Sequence, residues 1–382
     1  MFKILDEGKN FSKSFFLVPH LIYQDDLNWV CVPDIAIKNI FNREGNPAIK
    51  SGDYNLWILY ENGEPVGRII AFWTESKSKN KRPYSGGISF FECIDSQEAA
   101  NLLFDSAVEW LKAAGMQAVD GVIVPGENYN HWGILIDGFS KQGFGMPYNL
   151  PYYKQLFENY GFKVYFEQNS YHVDLSKEFP ERHVKFAKHI VEKGDFSFGH
   201  AGKKMNQKDV RNTTIVFNDV WSAFHANHQF VEEEYFEKIV KELKPVSNPK
   251  FIWFAYKDDY PIGMAIAFPD LNLIFDKFKG KFHLLNKLKM VHKIKNVNRA
   301  RLLVFGVNPK YHSSGVAGAL FWKMTEAMKE EGIEELEMSW VGDYNPKVNR
   351  IYKHLGNSTH AKTHVTMRYI IDSDIIFERF TN

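Results

Sequence analysis

The chain has 382 residues, more than one compact core usually serves, so about two or three domains are expected. Lys plus Arg, at 47, nearly balance Asp plus Glu, at 46, which argues against a whole-protein field of the kind that holds DNA. The only cysteines are Cys31 and Cys93, with no CxxC and no histidine cluster at ligand spacing. A disulfide framework and a bound metal are therefore not expected.

No run approaches the roughly 20 apolar residues of a membrane span. Asp6, Glu7 and Lys9 interrupt the start where a signal peptide would need an apolar stretch. The expected home is the cytoplasm. The 9 Trp and 18 Tyr suit large cores or aromatic-lined clefts.

In chain order, Asn55–Tyr60 and Val66–Phe72 read as a hairpin closed by the polar turn Glu61 to Pro65. Gly87–Phe91 reads as a strand. Ala99, Leu102, Leu103, Ala107, Trp110 and Leu111 then recur at helical spacing up to Gly115, and Val119 to Val124 returns as a strand. The segment Gly143 to Tyr153 is rich in Gly, Pro, Tyr and Phe. It suits either an acceptor-pocket wall or a turn packed between domains. Asp174 to Gly202 is charged and carries Pro180, Gly194 and Gly199. The change of domain is placed there, giving units 1–175 and 176–382.

The second half repeats the order. Lys250–Tyr256, the turn Lys257 to Pro261, and Ile262–Phe268 echo the first hairpin. A repeat about 195 positions apart points to a duplicated domain rather than a short-period solenoid. The stretch Lys277 to Arg301 follows, with Leu284, Leu285, Leu288, Val291 and Ile294 set among lysines. The favoured reading is a solvated helix face covering the core; contact with an acidic ligand or a membrane surface is the alternative. Ala300–Val307 reads as a strand. A helix carrying Ala319, Leu320, Trp322, Met324, Ala327 and Met328 ends at Gly332, and Glu335–Trp340 returns. Each half is thus a hairpin followed by a βαβ crossover, right-handed by default.

The loop between Val307 and Leu320 contains His312, Ser313, Ser314, Gly315, Val316 and Ala317. A helix start offers unpaired N–H groups and the positive end of the dipole to an anion. Gly315 permits close approach, and the serines add hydroxyl donors or a cap. A capped helix start with small packing residues is the alternative.

Val307-x-Pro309-x-Tyr311-x-x-x-Gly315-Val-Ala317 resembles the acyl-CoA-binding motif of the GNAT superfamily of N-acetyltransferases. Asn345, Asn349, Tyr352, Leu355 and Gly356 are similar to that family's closing helix. The whole chain resembles bacterial proteins with two such domains, through Asp25–Trp29, Pro65–Arg68, Gly143–Asn149 and Phe268–Asn272.

The resemblance implies an α/β (α+β) fold of two GNAT-like domains. Each would have a mixed, mainly antiparallel central sheet, a βαβ crossover and flanking helices. It also implies acetyl-CoA or another acyl-CoA as co-substrate, no metal, and direct transfer of the acyl group to an amine, with a small-molecule acceptor and no DNA partner. Phe305, Gly306 and Val307 would meet the pantetheine, His312 to Ala317 with Asn345 and Asn349 the rest of the cofactor. Tyr352 would protonate the leaving thiolate; a core tyrosine is the other use of that residue. Glu337 is the candidate base, against the commoner outcome of an exposed strand charge.

His312 stands where the family commonly has Gln or Arg. The first half lacks a cradle glycine after Phe91 and carries Glu92, Asp95 and Glu98 instead. It reads as a degenerate copy that shapes the cleft or binds the acceptor. A silent acyl-CoA sensor and, less favoured for its need of a basic RNA surface, an aminoacyl-tRNA-dependent transferase of the FemABX type are the other functions weighed.

Overall fold

The computed structural model describes residues 1–75, 83–126, 131–202, 205–222 and 230–381. In chain order its first half runs β1 (Phe2–Gly8), α1 (Lys13–Ile22), α2 (Asp34–Ile40), α3 (Pro47–Lys50), β2 (Gly52–Glu61), β3 (Glu64–Thr74), β4 (Ser85–Cys93), α4 (Gln97–Ala113), β5 (Ala118–Gly121), β6 (Ile134–Asp137), α5 (Tyr153–Tyr160) and β7 (Lys163–Asp174). The second half runs α6 (Glu181–Glu192), β8 (Ser197–His200), α7 (Gln207–Ser222), α8 (Glu233–Leu243), β9 (Ile252–Lys257), β10 (Tyr260–Pro269), α9 (Asn272–Phe275), α10 (Leu284–Lys293), β11 (Arg299–Val307), α11 (Val316–Glu330), β12 (Glu335–Gly342), α12 (Pro346–Lys353) and β13 (Thr359–Ile370).

Turn chemistry explains why both hairpins close alike. Asn62 and Gly63 in the first, and Asp258 and Asp259 in the second, all adopt positive φ. A two-residue loop with that backbone matches the twist of the strands it joins, and Asn, Asp and Gly tolerate it best. Alternation along β2 then sends Leu56 and Ile58 to a core under α1–α3, and Trp57 and Leu59 to a second core under α4. The second half repeats this. Ile252 and Phe254 face α7 and α8, whereas Trp253 and Ala255 face α11.

The strand order is β1-β2-β3-β4-β5-β13-β7-β12-β11-β10-β9-β8, with β6 off this path on β13. It reads almost the same from either end. The exception is at the centre, where the closing strands are exchanged: β13 pairs with β5 of the first half, and β7 pairs with β12 of the second. One continuous sheet results. In each half the crossover strands are the parallel pair, β4 with β5 and β11 with β12.

Candidate active site

In the second half the strands part where a ligand could enter. β11 and β12 pair only from Arg299 opposite Glu335 to Leu302 opposite Met338. The register of β11 against β10 slips between Ala267–Leu302 and Ile266–Val304, leaving Leu303 as a bulge. Beyond it Phe305, Gly306 and Val307 stay paired with β10 on one side. On the other side they meet no strand among the described residues. A bulge that turns one edge of a strand away from its neighbour is a common way to open such a cleft.

The turn after β11 is built to hold its own shape. Asn308 accepts from the Lys310 amide at 3.1 Å. The Ser314 hydroxyl donates to the Tyr311 carbonyl at 2.7 Å and accepts from the Val316 amide at 3.3 Å. Gly315, with φ +82°, is the residue that caps α11. A side chain there would be strained and would also meet the Phe186 ring of α6. The amides of Gly315, Ala317 and Gly318 bond to none of the described residues, leaving three donors at the positive end of a helix. Gly318 also lines a groove of about 490 Å³ bounded by Trp322, Phe186, His183 and His354. Ser313 is exposed and Val316 is buried in the core.

The His312 side chain is turned back, its Nε2 lying 2.8 Å from the Val307 carbonyl. That contact ties the loop to the strand end.

Tyr352 is buried on α12 with its ring 5.9 Å from Phe305 and 5.8 Å from Tyr171. It therefore lies against the open part of β11. Burial, and next Tyr171, push its phenol well above the ordinary value, so it stays protonated at neutral pH.

Asn345 and Asn349 do a different task from the one their pattern implies. The Asn345 side chain caps α12 by accepting from the Val348 amide at 3.2 Å. Asn349 donates to the Gly342 and Asn345 carbonyls and accepts from the Tyr171 hydroxyl at 2.9 Å. Asn345 thus caps the helix start, and Asn349 holds α12 to β12 and β7.

Glu337 is corrected as well. It lies in the paired part of β12, buried, with Lys362 Nζ 2.6 Å from one oxygen and Arg299 Nη2 3.1 Å from the other. Burial pushes its pKa up, but Lys362 and then Arg299 outweigh this and hold it below the ordinary value. Such a carboxylate is held by two cations and has little appetite for a proton. The cluster instead fixes a first-half loop. Arg299, 2.6 Å from Asp270 through Nε, also donates to the Lys141 carbonyl, and Arg301 donates to that of Phe144. Asn272 donates to the carbonyls of Gln142 and Gly143.

That loop forms part of the wall of a cavity of about 720 Å³ in the first half. β4 and β5 part after Ile88 opposite Gly121, and Phe90, at φ +47°, marks the bulge. The space between holds apolar walls from Phe16, Trp29, Val32 and Met146, with Asp34, Arg68, Glu92 and His131 among them. Glu92 is buried and accepts from Tyr23 at 2.6 Å and Tyr153 at 2.7 Å, with Arg68 3.5 Å away. Burial raises its pKa despite Arg68. Asp34 forms no ion pair with the described residues, and burial raises it too. Burial, and then Arg301 and Arg68, lower His131 to about 4.

His131 and Trp132 run from the first-half cavity towards the second-half strands. The His131 ring is 5.2 Å from Phe90, while the next residue, Trp132, lies 6.3 Å from Trp340 on β12 and 4.9 Å from the Arg301 guanidinium. The sequence drew attention to Arg68 and Glu92 without placing them in a pocket. Asp34, His131 and Trp132 carry no local signal, because the strand that brings them together belongs to the tertiary fold.

Residues 214–356 match the acetyltransferase (GNAT) family. Two chains are similar over nearly their whole length. "Protein YghO" of Escherichia coli (strain K12) is 24% identical over 380 residues, 93% of this chain and 92% of that one. "Bacterial ceramide synthase" of Caulobacter vibrioides is 24% identical over 360 residues, 92% of this chain and 93% of that one. Among solved structures, a tandem GNAT protein from the clavulanic acid biosynthesis pathway superposes with a TM-score of 0.57. It has 8% identity and covers 97% of this chain and 98% of that one.

The match to the acetyltransferase (GNAT) family thus falls within the second half. The chain as a whole has the fold of a tandem GNAT protein.

Proposed function

We propose that the chain is an acyl-CoA-dependent N-acyltransferase with a donor site in the second half and an acceptor site in the first. In this reading residues 1–175 and 176–382 are the two units, interlocked by their exchanged closing strands. The observation that carries it is the set of amides at Gly315, Ala317 and Gly318, without partners among the described residues and beside the open edge of Phe305–Val307. Backbone donors at a helix start suit a diphosphate. A strand edge free for pairing suits the amide-bearing pantetheine arm.

Transfer is direct. The amine nitrogen attacks the thioester carbonyl, the C–N bond forms, the C–S bond breaks with its electron pair on sulfur, and the proton lost by nitrogen restores the Tyr352 phenol once that phenol has protonated the sulfur. Tyr352, against the open part of β11, is the group that would protonate the departing thiolate. Asp34, which has no ion pair with the described residues, is the group that would hold the acceptor's ammonium before deprotonation.

For the acceptor we propose a long-chain amino alcohol. Ceramide, named for the Caulobacter relative, is the amide of such a base with a fatty acid. A first-half cavity with aromatic and aliphatic walls and buried carboxylates supports that class. The experiment is a thermal-shift and calorimetric series with acetyl-CoA, long-chain acyl-CoA and free CoA, followed by thiol release with long-chain amino alcohols. A ligand that binds only the folded state raises its apparent stability. Absence of any CoA-thioester affinity would end this reading. Because Glu337 is not a free base, the sensor is the second reading; acyl-CoA binding without thiol release from any amine would favour it.

A further inference from the structure

Helix α10 inverts the usual pattern of a surface helix. Asn286 and Met290, one turn apart, are its buried residues. On the opposite side Leu284, Leu285, Leu288 and Val291 are 72%, 64%, 61% and 50% exposed. Positions 284, 288 and 291 form one stripe at helical spacing, with 285 beside it. Lys287 borders the stripe on one flank, and Lys289 and Lys293 lie on the other; all three are exposed. Lys277, Lys279 and Lys281 precede the helix and Lys295 follows it, also exposed, and no Asp or Glu occurs from 277 to 298.

Large apolar side chains gathered on one exposed helix face are costly in water and mark a contact surface. A stripe with cations on both flanks fits a helix lying in the plane of a lipid interface. Its leucines would then sit among acyl chains and its lysines at the level of the phosphates. Clustered lysines without acids favour an anionic membrane, which concentrates such segments at its surface.

The helix also stands next to the first-half cavity. The Gly280 carbonyl accepts from the Asp34 amide at 3.2 Å. A side chain at Gly280 would strike Cys31 Sγ and Asp34 Oδ1, both from cavity-lining residues. Ile35, beside Asp34, is itself half exposed. We propose that α10 and its lysines dock the protein on an anionic lipid bilayer, with the cavity mouth alongside the lipid surface. The docking itself stands whether or not the acyl-transfer reading holds, since it rests on the leucines of α10 and the lysines around it.

The test is co-sedimentation of the full chain with phosphatidylglycerol/phosphatidylcholine vesicles and with vesicles of phosphatidylcholine alone. Binding is expected to the former, to weaken as salt rises, and to be much weaker to the latter. Leu284→Asp with Leu288→Asp should lower vesicle binding by roughly tenfold or more. Lys287→Glu with Lys289→Glu should lower binding to the anionic vesicles too. An unchanged thermal transition in both variants shows that the fold is intact, since these side chains face outward. Equal binding by wild type and the leucine variant, or no binding by wild type to either vesicle, overturns the proposal. So does a wild-type dimer in analytical ultracentrifugation that the leucine variant splits and that binds no vesicle; the stripe would then belong to a second copy of the chain. Acyl-CoA affinity, measured on the same variants, should not move.

Discussion

Lys362 on β13 reaches across β7 to place its ammonium 2.6 Å from Glu337 on β12, and both side chains are buried. This pair joins the last strand of the chain to the second half, although β13 lies in the sheet between β5 and β7. Arg299 completes the arrangement on the other carboxylate oxygen. The exchange of strands is thereby fixed by charge as well as by backbone pairing.

Removing one partner of such a pair strands the other without solvent. Lys362→Met should lower unfolding free energy in urea by about 3–5 kcal/mol, and Lys362→Met with Glu337→Gln should recover a large part of it. Equal losses in the single and double variants would show that the ion pair is not what holds the strand.

Tyr352→Phe removes only the phenol oxygen from a ring that packs on Phe305 and Tyr171. Turnover should fall by about tenfold or more while calorimetric CoA affinity survives. Unchanged turnover would leave Tyr352 a packing residue.

In the proposed function, Gly318 separates cofactor binding from folding. It is in the first turn of α11, and a side chain there meets nothing within 4 Å. Gly318→Asp places a carboxylate where the helix dipole favours it, so stability should hold or rise by about 0.3–1 kcal/mol. The same carboxylate faces the open amides and should weaken CoA-thioester affinity by roughly tenfold. Gly315→Ala, by contrast, should destabilise by about 1–2 kcal/mol, because of its positive φ. An affinity unmoved in Gly318→Asp would place the diphosphate elsewhere.

Two buried histidines set the response to acid. Burial lowers His364 to about 3, although the Pro147 carbonyl opposes the shift, and lowers His131 to about 4. Both folded values lie below that of the unfolded chain, near 6.5. Stability is therefore full above that value and is lost as pH falls towards 4, where the unfolded chain takes up protons that the fold refuses. Each histidine should contribute up to about 1.4 kcal/mol per pH unit within the window. Urea midpoints measured at pH 7 and pH 5 should show the drop, and His364→Gln should lessen it.

Much was readable from the residues in order. The two hairpins declare themselves through Asn62–Gly63 and Asp258–Asp259, whose positive φ is a local preference. α4 and α11 follow from apolar spacing, and Gly115 and Gly332 end them with the left-handed backbone glycine accepts readily. The turn around Gly315 was legible for the same reason, since its amides depend on a strand, a glycine and a helix start within about a dozen residues.

The use of individual side chains was decided elsewhere. Alternation along β12 says that Glu337 faces one side of the sheet, but not that Lys362 and Arg299 are waiting there. The leucines of α10 have helical spacing whether they cover a core or face outward, and only the neighbours of Asn286 and Met290 settle which. The sequence by itself determined the repeated elements and the backbone cradle, because those follow from propensities that act over a few residues. The tertiary structure alone decided the exchanged strands, the first-half cavity and the partners of Glu337. These depend on contacts between positions far apart in the chain, and periodicity carries no information about what lies on the other side of a face.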